Sequence, residues 1–63
     1  MCDMAAYILR DGKEELVLEN VDLVESQDGY LRLSNIFGEQ KTVNGTIKSF
    51  SMRHGKIVVA EMP

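Results

Sequence analysis

Turn dipeptides punctuate this chain at nearly even intervals. Asp11-Gly12, Asp28-Gly29, Asn44-Gly45 and His54-Gly55 recur every 10 to 17 residues, and Gly38 adds a fifth break. Asp-Gly and Asn-Gly tolerate the positive φ angles that tight hairpins require. Between them lie short runs rich in Val, Ile, Leu, Phe and Tyr. Such spacing predicts many short strands joined by tight turns.

Taken in order, Ala5–Arg10 reads as a first strand and Glu14–Glu19 as a second, with Leu16 and Leu18 facing inward. Asn20 marks a bend or bulge, because Val21, Leu23 and Val24 shift the phase of alternation. Tyr30–Ser34 alternates cleanly, Leu31 and Leu33 on one face and Arg32 on the other. Gln40–Val43 leads into Asn44-Gly45, from which Thr46–Met52 returns, and Lys56–Ala60 closes the set. A helix over Lys13–Ser26 is the rival, since Val17, Val21 and Val24 share one helical face. Against it, Leu16, Val17, Leu18 and Leu23 would wrap most of the way round, Asn20 sits mid-segment, and the segment has no alanine. The expectation is an all-β fold, one domain over residues 1–63, built as a small barrel of five to seven short antiparallel strands. Closure protects the many strand edges that such a chain creates.

At 63 residues a chain buries only about 60% of the surface it exposes when unfolded, so its stability alone is marginal. Small domains usually add a disulfide, a metal or a partner chain. The single cysteine, Cys2, cannot form an internal disulfide, which leaves a metal, a partner or both; a homodimer is the default expectation. The free thiol suits a reducing cytoplasm. No secretory leader is expected, because Asp3 and Arg10 interrupt any apolar segment, and nothing approaches the roughly 18 apolar residues of a membrane span.

Charge is uneven along the chain. Residues 1–29 carry two basic and eight acidic side chains, a balance of −6, whereas residues 30–63 carry five basic and two acidic, a balance of +3. The overall acidity argues against a dedicated nucleic-acid binder. An alternative nucleic-acid face would use Arg32, Lys41, Lys48, Arg53 and Lys56, but base stacking needs exposed aromatics. Of the four aromatic residues, Phe37 and Phe50 are expected in the core.

Catalysis is not expected. The only nucleophile–base pair is Cys2 with His54, a thiol beside the terminus and a turn histidine, poor material for a preorganised site. Glu14-Glu15 reads as a solvated strand surface, and the glycines stand singly in turns rather than in a phosphate loop. Met4 and Met52 are expected to fill gaps in the core or at a dimer interface.

Cys2 is the chemically distinctive residue. It precedes the first apolar run, with little chain on its N-terminal side to bury it. The small side chain after Met1 favours removal of the initiator methionine. An N-terminal cysteine then offers an α-amine, a thiolate and the Asp3 backbone amide within a few ångströms, a donor set for nickel(II) or copper(II). Read from its position alone, Cys2 is either such a ligand or an incidental terminal thiol.

Nearly the whole chain resembles the CooT family of small nickel-binding accessory proteins, some of which carry a predicted RNA-binding label. The resemblance is carried by the opening MCDMAAY, by EELVLENVDLVE, by YLRLSNIFGEQKTVNGTIKSFSM after the glycine turn, and by the closing GKIVVAE. It implies an SH3-like barrel that forms a homodimer and supplies nickel(II) for maturation of carbon monoxide dehydrogenase. It also makes Cys2 the functional residue. In an isologous dimer whose N-termini meet near the axis, two copies of Cys2 come together with terminal amines or main-chain amides to give a four-coordinate site. Asp3 contributes its amide and Met4 shapes the surroundings. The implied partners are a client nickel enzyme or other maturation factors. Two alternatives stay open: an RNA-binding barrel using the basic residues of the second half, and a client-recruiting module with no metal role.

Overall fold

Six strands account for most of the computed structural model, which describes residues 4–61: β1 (Met4–Arg10), β2 (Lys13–Gln27), β3 (Tyr30–Asn35), β4 (Gln40–Val43), β5 (Gly45–Ser51) and β6 (Lys56–Glu61). Asp11 and Gly12, at φ 51° and 76°, make the two-residue turn between β1 and β2. Both lie in the left-handed region that this turn demands. The six strands form one sheet in the order β4-β3-β2-β1-β6-β5. Every neighbouring pair is antiparallel except β1 and β6, which run parallel.

That order forces the sheet to curl. β4 and β5 occupy its two edges, yet only Asn44 separates them in the chain. Laid flat, six strands would hold their edge strands about 24 Å apart. The two peptide steps from Val43 to Gly45 span roughly 7 Å. The sheet therefore bends until its edges approach, giving a small all-β barrel that stays unladdered between β4 and β5. Asn44-Gly45 is thus not the hairpin turn its sequence suggests, because the strands flanking it do not pair with each other. Gly45 meets a different need. Any Cβ there would run into the carbonyl oxygen of Ala60 on the paired strand β6.

β2 is long enough to serve two ladders. Residues 13–21 pair with β1 and residues 21–27 with β3, and Val21 stands opposite both Met4 and Asn35. Asn20, at φ 57°, turns the strand between its halves, as expected for that position, and the helix over Lys13–Ser26 does not form. The register shifts beside it, between Met4 and Ala6, where the partner passes from Val21 to Leu18, and two further bulges complete the bend. Between Ala6 and Tyr7 the partner on β2 jumps from Leu18 to Leu16, and between Asn35 and Ser34 it jumps from Val21 to Leu23.

The first bulge corrects the expected facing of Leu16. Residues opposite each other on paired strands share a face. Leu18 lies opposite buried Ala6 and is itself buried, whereas Leu16 lies opposite Tyr7 on the outer surface and is 50% exposed. The barrel interior is filled by Ala6, Ile8, Leu18, Val21, Leu31, Leu33, Val43, Ile57 and Val59, with Met4, Val17 and Val24 packed against them. Leu31, Leu33, Ile57 and Val59 are fully enclosed, each contributing about 1.5–3 kcal/mol through burial. Phe37 and Phe50, expected in this core, lie outside it at 71% and 54% exposure, and Met52 is more exposed still. Phe37 sits in the β3–β4 turn and Phe50 next to the end of β5, so both lie at the rim and not among the nine interior side chains.

Candidate functional site

Cys2 and Asp3, the expected metal-binding residues, lie outside the described residues. Their position in the chain directs attention to the end of the barrel where β1 starts. Met4 is opposite Val21, Val21 is opposite Asn35, and Ala5 is opposite Lys56. The Ala5 amide donates to the Gly55 carbonyl at 2.8 Å. The kink of β2, the β3–β4 turn and the β5–β6 turn therefore all gather around the start of β1. His54, in the β5–β6 turn, is exposed as expected, and its amide donates to Ser51 Oγ at 3.3 Å.

This end is apolar. A groove lined by Met4, Val21, Leu23, Val24, Phe50 and Ile57, with Asp22 at its margin, opens beside the start of β1. Leu23 and Phe50 are each at least half exposed. Ile36, Phe37 and Met52 belong to the turns at the same end. Among the described residues, no three His, Cys, Asp or Glu side chains group closely enough to hold a metal ion.

The β3–β4 turn is built around Asn35, which is buried. Its Oδ1 accepts from the amides of Phe37 at 3.0 Å and Glu39 at 2.9 Å, and its Nδ2 donates to Glu39 Oε1 at 2.7 Å. The Asn35 amide donates to the Glu39 carbonyl, the Gly38 amide to the Asn35 carbonyl, and the Ile36 amide to the Asn20 carbonyl. Gly38, at φ 83°, takes the left-handed residue. The break expected at Gly38 is thus borne out, but the part played by Asn35 was not anticipated, although Asn two residues before Phe37 with Gly one after it is the signature of an Asx-turn.

The five basic residues of the alternative nucleic-acid face come from different elements. Arg32 on β3 lies 3.9 Å from Glu25 across the ladder, and Lys56 on β6 pairs with Glu14 and sits 5.2 Å above the Tyr7 ring. Lys41 is on β4, Lys48 falls at the irregularity of β5, and Arg53 is in the β5–β6 turn. A separate ion pair marks the opposite end of β1. Arg10 donates to both carboxylate oxygens of Glu61 at 2.9 and 3.0 Å and to Glu15 at 3.2 Å. The hydrogen bond and charge of Arg10 hold the Glu61 carboxyl below its ordinary value, and Glu61 raises Arg10 in turn. No helix among the described residues is long and apolar enough to cross a membrane.

The whole barrel has a counterpart among solved structures. A crystal structure described as CooT of Carboxydothermus hydrogenoformans superposes with a TM-score of 0.89 and 34% sequence identity, covering 98% of this chain and all of the other. No curated protein matches the sequence. A profile of the family described as CO dehydrogenase accessory protein CooT matches residues 1–60. The chain belongs to the CooT family.

Proposed function

We propose that this protein is a cytoplasmic, non-enzymatic accessory factor that carries nickel(II) as cargo for maturation of CO dehydrogenase. The family match over residues 1–60, which takes in Cys2, carries the reading. The Cys2 thiolate and the Asp3 backbone amide hold the ion, and Met4, at the start of β1, shapes the approach. A thiolate with amide nitrogen is a donor set suited to nickel(II). Cys2 is the single cysteine of the sequence, so any thiolate ligation depends on it.

The protein acts as a homodimer. Leu23, Val24, Phe50 and Met4 form an apolar surface next to the start of β1, and a second copy seated there brings two N-termini together. Exposed apolar patches of this kind mark association surfaces. The RNA-binding alternative is disfavoured, because Arg32 and Lys56 each face a carboxylate.

A nickel titration of untagged protein tests this reading. Wild type is expected to develop a thiolate-to-nickel charge-transfer band saturating at one nickel per two chains, and Cys2→Ser to lack it. If Cys2→Ser titrates like wild type, nickel carriage through Cys2 is wrong.

A further inference from the structure

We propose that Phe37, presented on the β3–β4 turn, is the anchor by which this protein docks on its client enzyme, entering an apolar pocket rimmed by Lys or Arg. The inference rests on the accessory role proposed above and names the surface that role uses.

Rigidity is the first ground. Phe37 is 71% exposed and its neighbour Ile36 54% exposed, yet the turn that carries them is not loose. Buried Asn35 takes the amides of Phe37 and Glu39 and returns a bond to the Glu39 carboxylate. Further main-chain bonds tie Gly38 to Asn35 and Ile36 to Asn20. An aromatic side chain left in water on a hydrogen-bonded turn adds little to the fold, and its main chain is ordered in advance. It suits binding instead, because little ordering entropy remains to be lost when it is captured. Large aromatics are also the residues on which binding energy concentrates.

Charge selects the partner. Beside Phe37, a shallow depression is lined by Leu16 and Val17 and edged by Glu19, Glu39 and Lys41. Among the described residues neither Glu19 nor Glu39 lies within ion-pair distance of a cation. The apolar anchor is therefore bordered by carboxylates in excess over lysine. A second copy fits poorly, since an isologous contact would set these carboxylates near their own equivalents. Nucleic acid and anionic lipid are repelled for the same reason. A protein pocket with a basic rim is complementary. The groove assigned to the second copy shares no lining residue with this depression, so the two contacts draw on different side chains.

The test measures binding of the full-length chain to purified nickel-free CO dehydrogenase from the same organism by biolayer interferometry. Phe37→Ala is expected to weaken binding at least about 10-fold, as loss of an anchor does, with nickel titration and dimer mass unchanged. Glu19→Lys, at an exposed site, is expected to weaken binding several-fold and to reduce its sensitivity to salt. If wild type binds and both variants bind equally well, the surface is wrong while the accessory reading stands. If Phe37→Ala instead abolishes dimerisation, the occupant is a second copy and the proposal falls. If wild type does not bind the enzyme at all, the client reading falls together with this surface.

Discussion

Asn35 and Glu39 close on each other through three hydrogen bonds. The Asn35 amide reaches the Glu39 carbonyl at 3.0 Å, the Glu39 amide reaches Asn35 Oδ1 at 2.9 Å, and Asn35 Nδ2 reaches Glu39 Oε1 at 2.7 Å. Only one of the three is purely main chain. The side chain of Asn35 thus does locally what a longer ladder would do elsewhere, satisfying turn amides that β4 is too short to pair.

Asn35→Ala should be costly for that reason. It removes two acceptor contacts and one donor contact at a buried position and leaves the amides of Phe37 and Glu39 to find other partners. Removing such a partly buried network costs about 1–3 kcal/mol per stranded group at most, and because Phe37 and Glu39 are exposed, solvent should hold the total near about 2–3 kcal/mol. In a domain this small, about 1 kcal/mol shifts the melting temperature by roughly 4–8 °C. A thermal melt should therefore show a fall of about 10 °C or more. A change within a degree or two would mean the network adds nothing net.

Most strands were legible because their signals are local. Leu31-Arg32-Leu33 alternates as a half-buried strand should, and Asp11-Gly12 carries its own turn conformation. Asn20 announces the bend of β2 by breaking the phase. Three features were not legible, each for a physical reason. Asn44-Gly45 encodes backbone freedom, but whether the flanking strands pair is decided by how the whole sheet curls. Leu16 faces outward because a bulge shifts the register by one residue, and a shift of one reverses every side chain beyond it. Phe37 and Phe50 look like core residues by type, yet their places in a turn and near a strand end put them at the rim. Cys2 and Asp3 lie outside the described residues, so the fold does not bear on metal binding. The family match supports the accessory role.

Gly45→Ala tests the close approach of β5 and β6. The added methyl meets the main-chain carbonyl of Ala60, not a flexible side chain, so the strand pair has to separate. Overpacking of this sort costs about 1–3 kcal/mol. Urea denaturation should register the loss as a lower midpoint, with little change in slope. Asn44→Ala, at the exposed neighbouring residue, should have a much smaller effect. Equal effects at the two positions would contradict the packing account.

The Arg10–Glu61 pair gives a pH signature. Arg10 holds the folded-state carboxyl of Glu61 below its unfolded value. The pair therefore stabilises the protein above the ordinary carboxylate range, and that contribution is lost as pH falls through the lowered folded value. Both partners are solvent-exposed, so the effect is small and weakened by salt. Wild type should be slightly more stable than Glu61→Gln at neutral pH and low salt. The two should converge under acid or in high salt. A gap that persists at acid pH would assign the difference to something other than the ion pair.

Leu23 decides whether the apolar end is an interface. It is half exposed beside Met4 and Phe50, and its side chain is not part of the enclosed core. A glutamate there should leave the monomer folded while placing two like charges near a two-fold axis. Wild type is expected to sediment as a dimer and Leu23→Glu as a monomer. If nickel is shared between two copies of Cys2, monomerisation removes half of its thiolates, and affinity should fall at least about tenfold, a loss of about 1.4 kcal/mol. Raising the protein concentration should restore both dimer and affinity together. A monomeric variant that keeps full affinity would place nickel within a single chain, and a dimeric variant would move the interface away from this groove.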